Sequence, residues 1–197
     1  LLPIVEYHNW RPGFMFNAMI APLTKYGIKG AIWYQGESNT GRHAEYRELF
    51  GAMISNWRAR WGIGEFPFLF VQLANFMESK ALQPDSNWAY LREAQTQTLE
   101  LPKTGMATII DIGEAGDIHP RNKKDVGERL WLQAKKVAFG EEVLASGPVF
   151  KEAKREGNEL ILTFSEVGDG LKLSIGEEVK GFIVEDAEGQ FELAKGL

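Results

Sequence analysis

Ile32-Trp33-Tyr34-Gln35-Gly36-Glu37-Ser38-Asn39 decides how this chain is read. Three apolar residues run straight into an amide, a glycine, a carboxylate, a hydroxyl and a second amide. An apolar run that stops this abruptly reads as a buried strand delivering polar groups to the carboxyl end of a sheet. In open α/β sheets that end is where ligands bind. A second compact polar motif, Asp117-Ile118-His119-Pro120, holds one of only three histidines in the chain.

Working outward from the first motif, the pattern from residue 13 to about 139 alternates helix and strand. Phe14 to Lys25 reads as a helix and Ile28 to Tyr34 as a buried strand. Arg42 to Trp61 is the clearest helix, because Tyr46, Leu49, Phe50, Met53, Ile54, Trp57 and Trp61 form one apolar stripe, closed by Gly62 and Gly64. Phe66 to Leu73 is a second buried strand. Asp85 or Ser86 caps a helix running to about Leu99. Met106 to Ile112 is a third strand, and Pro120 opens the first turn of a helix reaching Phe139. Strands separated by long helices predict a parallel sheet with helices on both faces. The polar segments 35–40 and 113–119 then share one edge.

After Gly140 the pattern becomes short strands and turns. Residues 159–164, 171–175 and 181–184 read as strands, with Gly157-Asn158 and Glu188-Gly189 as turns. The expected division is therefore residues 1–146 as the α/β domain and 147–197 as a β-rich segment, either a packed ribbon or the start of a further β domain.

Composition narrows the function. A net charge of −5 offers no basic stripe for nucleic acid. No apolar run approaches the roughly 20 residues of a membrane span. Zero cysteines exclude disulfides and thiol catalysis. His8, His43 and His119 lie far apart, so no metal-binding spacing exists. Six tryptophans, twelve phenylalanines and five tyrosines suit core packing first and sugar faces second. The chain opens Leu1-Leu2-Pro3 without methionine. A missing natural N-terminus, with any targeting segment, is the expectation.

The chemistry-bearing residues each have a bland reading beside the sharp one. His119 flanked by Asp117 suits a general base with an orienting acid, although spacing alone favours a helix cap beside a turn. Gln35 and the backbone at Gly36 suit an oxyanion site, or an ordinary strand-to-helix turn capped by Ser38 or Asn39. Ser38 fits poorly as a nucleophile: the elbow motif is Gly-x-Ser-x-Gly, Thr40 stands where the second glycine belongs, and Glu37 disfavours an alkoxide. Glu37 with Asp117 also raises a glycosidase pair, which a parallel sheet supports weakly.

Residues 16–23 (Phe-Asn-Ala-Met-Ile-Ala-Pro-Leu), 28–39 and Asp117-Ile118-His119-Pro120-Arg121-Asn122-Lys123 together resemble the sialate O-acetylesterase family, carbohydrate esterases of the SGNH hydrolase superfamily. The resemblance runs from about residue 12 to 185. It implies a three-layer α/β/α flavodoxin-like fold and cofactor-free hydrolysis of acetyl esters on sugars, typically O-acetylated sialic acid, in a periplasmic or secreted bacterial protein. It also implies that His119 is the catalytic histidine, Asp117 its acid and Gln35 the oxyanion amide. Gly36 and Glu37 complete that block, with Glu37 holding the loop, and Asn39 is a second donor. One departure is serious. The family's nucleophilic serine lies in an upstream Gly-Gln-Ser-Asn type block that does not occur here. The expectation is a C-terminal portion of a larger esterase, inactive alone, whose partner is the N-terminal part of the same protein. A non-catalytic carbohydrate-binding module and an acetylxylan-type esterase are the alternatives.

Overall fold

The computed structural model describes residues 11–173, 176 and 179–196. Three parallel strands, β1 (Ala31–Trp33), β2 (Phe68–Val71) and β3 (Thr104–Ala107), lie in the order β1-β2-β3. Ile32 stands opposite Leu69, and Leu69 opposite Gly105. The central strand is buried along its whole length, and its side chains alternate between two cores. Phe68 and Phe70 join Tyr46, Phe50 and Ile54 of α1 (His43–Trp61) and Leu91 and Ala94 of α2 (Asn87–Gln97). Val71 turns the other way, to Ile109 and to Val126 of α3 (Lys123–Phe139). Burying each such aromatic stabilises by about 1.5–3 kcal/mol relative to exposure. The sheet is thus sandwiched between α1 and α2 on one face and α3 on the other, the three-layer α/β/α order read from the alternation.

On the α3 face, glycine sets the spacing. A Cβ at Gly105 would lie 2.8 Å from Gln133 Oε1 and 3.0 Å from Leu69 Cδ2, so only glycine lets the helix approach this closely. Gly62 closes α1 in the left-handed conformation (φ +64°), as its position after the stripe predicts. Ser86, the second of the two expected caps, accepts the Ala89 N–H at 3.4 Å.

Several boundaries differ from the sequence reading. Residues 14–25 are helical but irregular: a π-helical turn, Phe16–Ile20, passes into a 3-10 turn, Ala21–Lys25, where Pro22 removes a backbone donor. The expected buried strand 28–34 is shorter, and Ile32 is 72% exposed while its neighbour Leu69 is 5% exposed. The reason is position: β1 is the edge strand among the described residues, and α3 packs over β2 and β3. The third strand begins two residues early and ends at Ala107. Ile109 and Ile112 continue the apolar run because they pack against α3 as loop residues. Pro120 precedes α3 rather than opening it. Asn122 is the cap, accepting the Asp125 N–H at 3.2 Å, and that local bond sets the start at Lys123.

Beyond α3 the chain forms two antiparallel pairs. β4 (Val149–Glu156) pairs with β5 (Glu159–Ser165) across Gly157 (φ +64°), and β6 (Ile183–Glu185) pairs with β7 (Phe191–Leu193). The strand at 149–156 was not legible, since every residue in it is exposed and charged side chains dominate. Of the expected strand 171–175, residues 171–173 lie outside any strand, and 174 and 175 lie outside the described residues. Lys136 holds Glu166 at 2.9 Å, and Gln133 donates to the Ala145 carbonyl at 2.9 Å, tying the start of this region to α3. Among the described residues no helix is long and apolar enough to cross a membrane.

Candidate active site

Because all three strands run the same way, the segments after Trp33, Val71 and Ala107 emerge on one edge. Tyr34 joins the outer two. It packs against the cluster around Ile109 and Val126, and the Lys123 ammonium sits 5.0 Å over its ring. Lys123 follows His119 by four residues, so the two polar motifs occupy the same edge.

The first motif is rigid. Gln35 Nε2 donates to Asn39 Oδ1 at 2.7 Å. The Tyr46 hydroxyl lies 3.1 Å from the Gln35 carbonyl oxygen and 3.3 Å from Gln35 Oε1. Gln95, 1% exposed, donates from Nε2 to that carbonyl at 3.2 Å and to the Val71 carbonyl at 3.4 Å, while its Oε1 accepts the Leu73 N–H at 2.9 Å. The Gln35 loop is therefore tied to both helices of the large core and to the end of β2.

Gly36 is buried with φ +156° and ψ −21°. A Cβ there would meet Leu91 Cδ2 at 2.9 Å, Gln95 Nε2 at 3.2 Å and Leu73 Cδ2 at 3.3 Å. Gly36→Ala is expected to cost about 1–3 kcal/mol through strain and overpacking. Denaturant unfolding measures this, and an unchanged midpoint would contradict the crowding.

Glu37 begins a 3-10 turn, Glu37–Arg42, and its carbonyl accepts the Thr40 hydroxyl at 3.0 Å. Burial pushes the Tyr34 and Tyr46 hydroxyls above the usual tyrosine pKa, and the Glu37 charge adds to that push in both. Asn39 closes the same turn, its N–H donating to the Gly36 carbonyl at 2.8 Å. Its Oδ1 is occupied by Gln35, and among the described residues its Nδ2 donates no hydrogen bond. Ser38 lies inside this turn and makes no hydrogen bond to the Asp117–His119 loop among the described residues.

The second motif is held by its backbone. Asp117 Oδ1 accepts the His119 N–H at 2.8 Å, whereas His119 Nδ1 stands 4.0 Å from the same oxygen. The His119 side chain is 89% exposed and that of Asp117 39%. Asp117 thus shapes the turn that presents His119. Glu114 stabilises the loop by accepting the Arg121 N–H at 3.0 Å and, through its carbonyl, the Asp117 N–H at 3.2 Å. Asn75 Oδ1 accepts the Gly113 N–H at 2.7 Å, fastening this loop to the one after β2. An added Cβ at Gly113 would collide with the Asn75 backbone oxygen.

Sequence reasoning missed Gln95 as part of the site and read Tyr46 and Trp33 as core alone. The available signal was Gln95 itself, a polar residue one helical turn from Leu91 on the buried face of α2. Among the described residues no three His, Asp or Glu side chains gather as a metal site.

A parallel α/β/α sheet with an amide loop and an Asp-x-His loop at its carboxyl edge is the architecture of an SGNH-type hydrolase. Comparison with known proteins narrows this. A family model described as carbohydrate esterase, sialic acid-specific acetylesterase, matches residues 5–134. The sialate O-acetylesterase of Mus musculus is 36% identical over 159 residues, covering 72% of this chain and 29% of that protein. That of Homo sapiens is 36% identical over 154 residues, covering 68% and 29%. A crystal structure of a carbohydrate acetylesterase from Xanthomonas citri superposes with a TM-score of 0.85 at 48% identity, covering 92% of this chain and 42% of that one. The chain belongs to the sialic acid-specific acetylesterase family of carbohydrate esterases. It spans about 29% of the length of the mouse and human relatives it matches.

Proposed function

We propose that this chain supplies the acid–base and oxyanion elements of a carbohydrate O-acetylesterase, with O-acetylated sialic acid as the substrate. The attacking serine comes from another part of the same protein. Its hydroxyl oxygen attacks the acetyl carbonyl carbon while His119 takes the proton, and Asp117 steadies the imidazolium. Gln35 N–H, the Asn39 amide and backbone N–H groups at Gly36 and Glu37 hold the oxyanion. Collapse expels the sugar hydroxyl, which receives the proton from His119. Water then repeats the sequence on the acetyl-serine and releases acetate. Residues 1–146 form the esterase portion in this reading, and 147–197 are a β-rich segment, either a ribbon packed on it or the start of a β domain.

The observation that carries this is the meeting, at one sheet edge, of a Gln35 amide held at both ends and the Asp117–His119 turn. Among the described residues β1 is an edge strand, whose backbone suits pairing with a further strand bearing the nucleophile. Turnover of 4-nitrophenyl acetate should be negligible for residues 1–197 and present in a protein extended upstream. Sugar binding without turnover in both forms would instead identify a binding module. In the extended protein, Gln35→Ala is expected to lower kcat about 10²–10³-fold, the effect of losing one oxyanion donor. An unchanged kcat would remove Gln35 from the oxyanion site.

A further inference from the structure

Resting on the reading of His119 as the general base, we infer that Asn75 is a positioning residue that sets where that histidine stands. His119 lies on the long connection between β3 and α3, and its side chain is 89% exposed. The path of the backbone therefore decides where the imidazole sits. Within the connection, Glu114 accepts the Asp117 and Arg121 N–H groups and Asp117 accepts the His119 N–H. Those bonds make the turn one unit without fixing its place in the fold. Among the described residues, residues 113–122 make two hydrogen bonds to other loops or strands, and both reach the loop after β2. Asn75 Oδ1 accepts the Gly113 N–H at 2.7 Å, and the Ala115 carbonyl accepts the Met77 N–H at 2.9 Å. A backbone N–H can only donate, so the Asn75 amide must present its oxygen to Gly113. The contact is also close. A Cβ at Gly113 would collide with Asn75 and stand 2.9 Å from Ala74 Cβ.

Asn75 serves as a fixed post because the residues on either side of it are held to α2. Gln95 Oε1 accepts the Leu73 N–H at 2.9 Å, and Trp88 Nε1 donates to the Ala74 carbonyl at 2.7 Å. Phe76 packs on the Trp88 ring, with centroids 5.3 Å apart. Met77 holds the left-handed conformation (φ +69°), which residues bearing a side chain rarely adopt. Such strain persists only where the surrounding structure over-determines it. The ties thus run from α2 through residues 73–77 to Gly113 and Ala115, and end two residues short of Asp117. The same Gln95 donates to the Gln35 carbonyl at 3.2 Å. One helix is therefore the common reference for both loops, and Asn75 is the side chain that carries its position across to the histidine.

Asn75→Leu tests this in the extended, active protein, because it removes the acceptor and nearly keeps the side-chain shape. Expected is a fall in kcat on 4-nitrophenyl acetate of about 10–10²-fold, the scale of a misplaced catalytic group, with KM within about twofold of the parent. Asn75→Asp keeps an oxygen for Gly113. It should recover kcat to within about threefold, compared on the plateau of each pH profile so that its charge cannot act through the imidazole pKa. Amide hydrogen exchange supplies the second readout. In Asn75→Leu, residues 113–119 should exchange faster while residues 35–39 and α2 keep the parent rates. In a His119→Ala background the same substitution should leave the residual turnover unchanged, because no imidazole remains to place. An unchanged kcat for Asn75→Leu overturns the inference, and so does an equal fall in the His119→Ala background. A loss in Asn75→Asp as deep as in Asn75→Leu, or faster exchange in all three regions, overturns it as well. If His119→Ala is itself silent, the general-base reading falls first.

Discussion

Replacing His119 with alanine in the extended, serine-containing protein is expected to reduce acetyl-ester turnover by at least about 10³-fold. The imidazole is the base that activates the hydroxyl and the acid that releases the sugar, so both halves of the reaction lose their proton carrier. The folded state should be untouched. His119 has an 89% exposed side chain, and its backbone N–H keeps its bond to Asp117 Oδ1. Thermal unfolding of parent and variant should therefore coincide while the rates diverge. Retention of more than about a tenth of the parent rate would be incompatible with general-base catalysis at this position. Asp117→Asn is the informative companion. Its side-chain oxygen can still accept the His119 N–H, so it removes the charge while leaving the turn intact.

The second large effect concerns stability and lies far from the reacting edge. Arg58 is 8% exposed on the buried face of α1. Its guanidinium donates to the Phe66 carbonyl at 3.0 and 3.2 Å, to the Pro102 carbonyl at 2.7 Å and to the Lys103 carbonyl at 3.3 Å. These three oxygens belong to the segments entering β2 and β3, so one side chain fastens the start of both strands to the helix. Arg58→Met keeps the apolar stem and leaves the carbonyls without that donor. The Lys103 carbonyl keeps the Phe68 N–H, so the main cost falls on the buried Phe66 carbonyl and the partly buried Pro102 carbonyl; at about 1–3 kcal/mol for an unsatisfied buried acceptor, the total is near 3 kcal/mol. For a chain of this size that is a fall of roughly 6–12 °C in the unfolding midpoint. Arg58→Lys should rescue only part of it, because a single ammonium lacks the planar fork that reaches three acceptors. A midpoint unchanged in Arg58→Met would show that the carbonyls find water instead.

How much of this was readable beforehand follows from the physics of each element. The α1 stripe announced itself because Tyr46, Phe50 and Ile54 recur at helical spacing and all end in one core. β2 was clear because both its faces are covered, which demands an unbroken apolar run. β1 was misjudged for the converse reason: Ile32 has the composition of a buried strand residue but stands at the edge, 72% exposed. The end of β3 was misplaced because Ile109 and Ile112 are as apolar as strand residues yet serve as a packed loop. The polar strand β4 carried little hydrophobic signal, because Lys151, Glu152, Lys154, Arg155 and Glu156 dominate it.

The site divides along the same line. Gln35, Gly36, Asp117 and His119 stood out because polar residues directly after an apolar run, or beside a rare histidine, are local features. Arg58 and Gln95 did not, because a buried polar residue is distinguished only by the carbonyls and N–H groups it meets, and those come from other elements.

By itself, then, the sequence determined the parallel α/β order, the family and the two polar motifs, since all are written in spacing and short-range pattern. Only the tertiary structure decided that Asp117 bonds the backbone of His119 rather than its ring, and that Tyr46 and Gln95 grip the Gln35 loop. Tyr46 lies 11 residues from Gln35, and Gln95 lies 60 away. Nothing in local pattern encodes a hydrogen bond across that distance; it exists because the sheet and its helices bring the partners together.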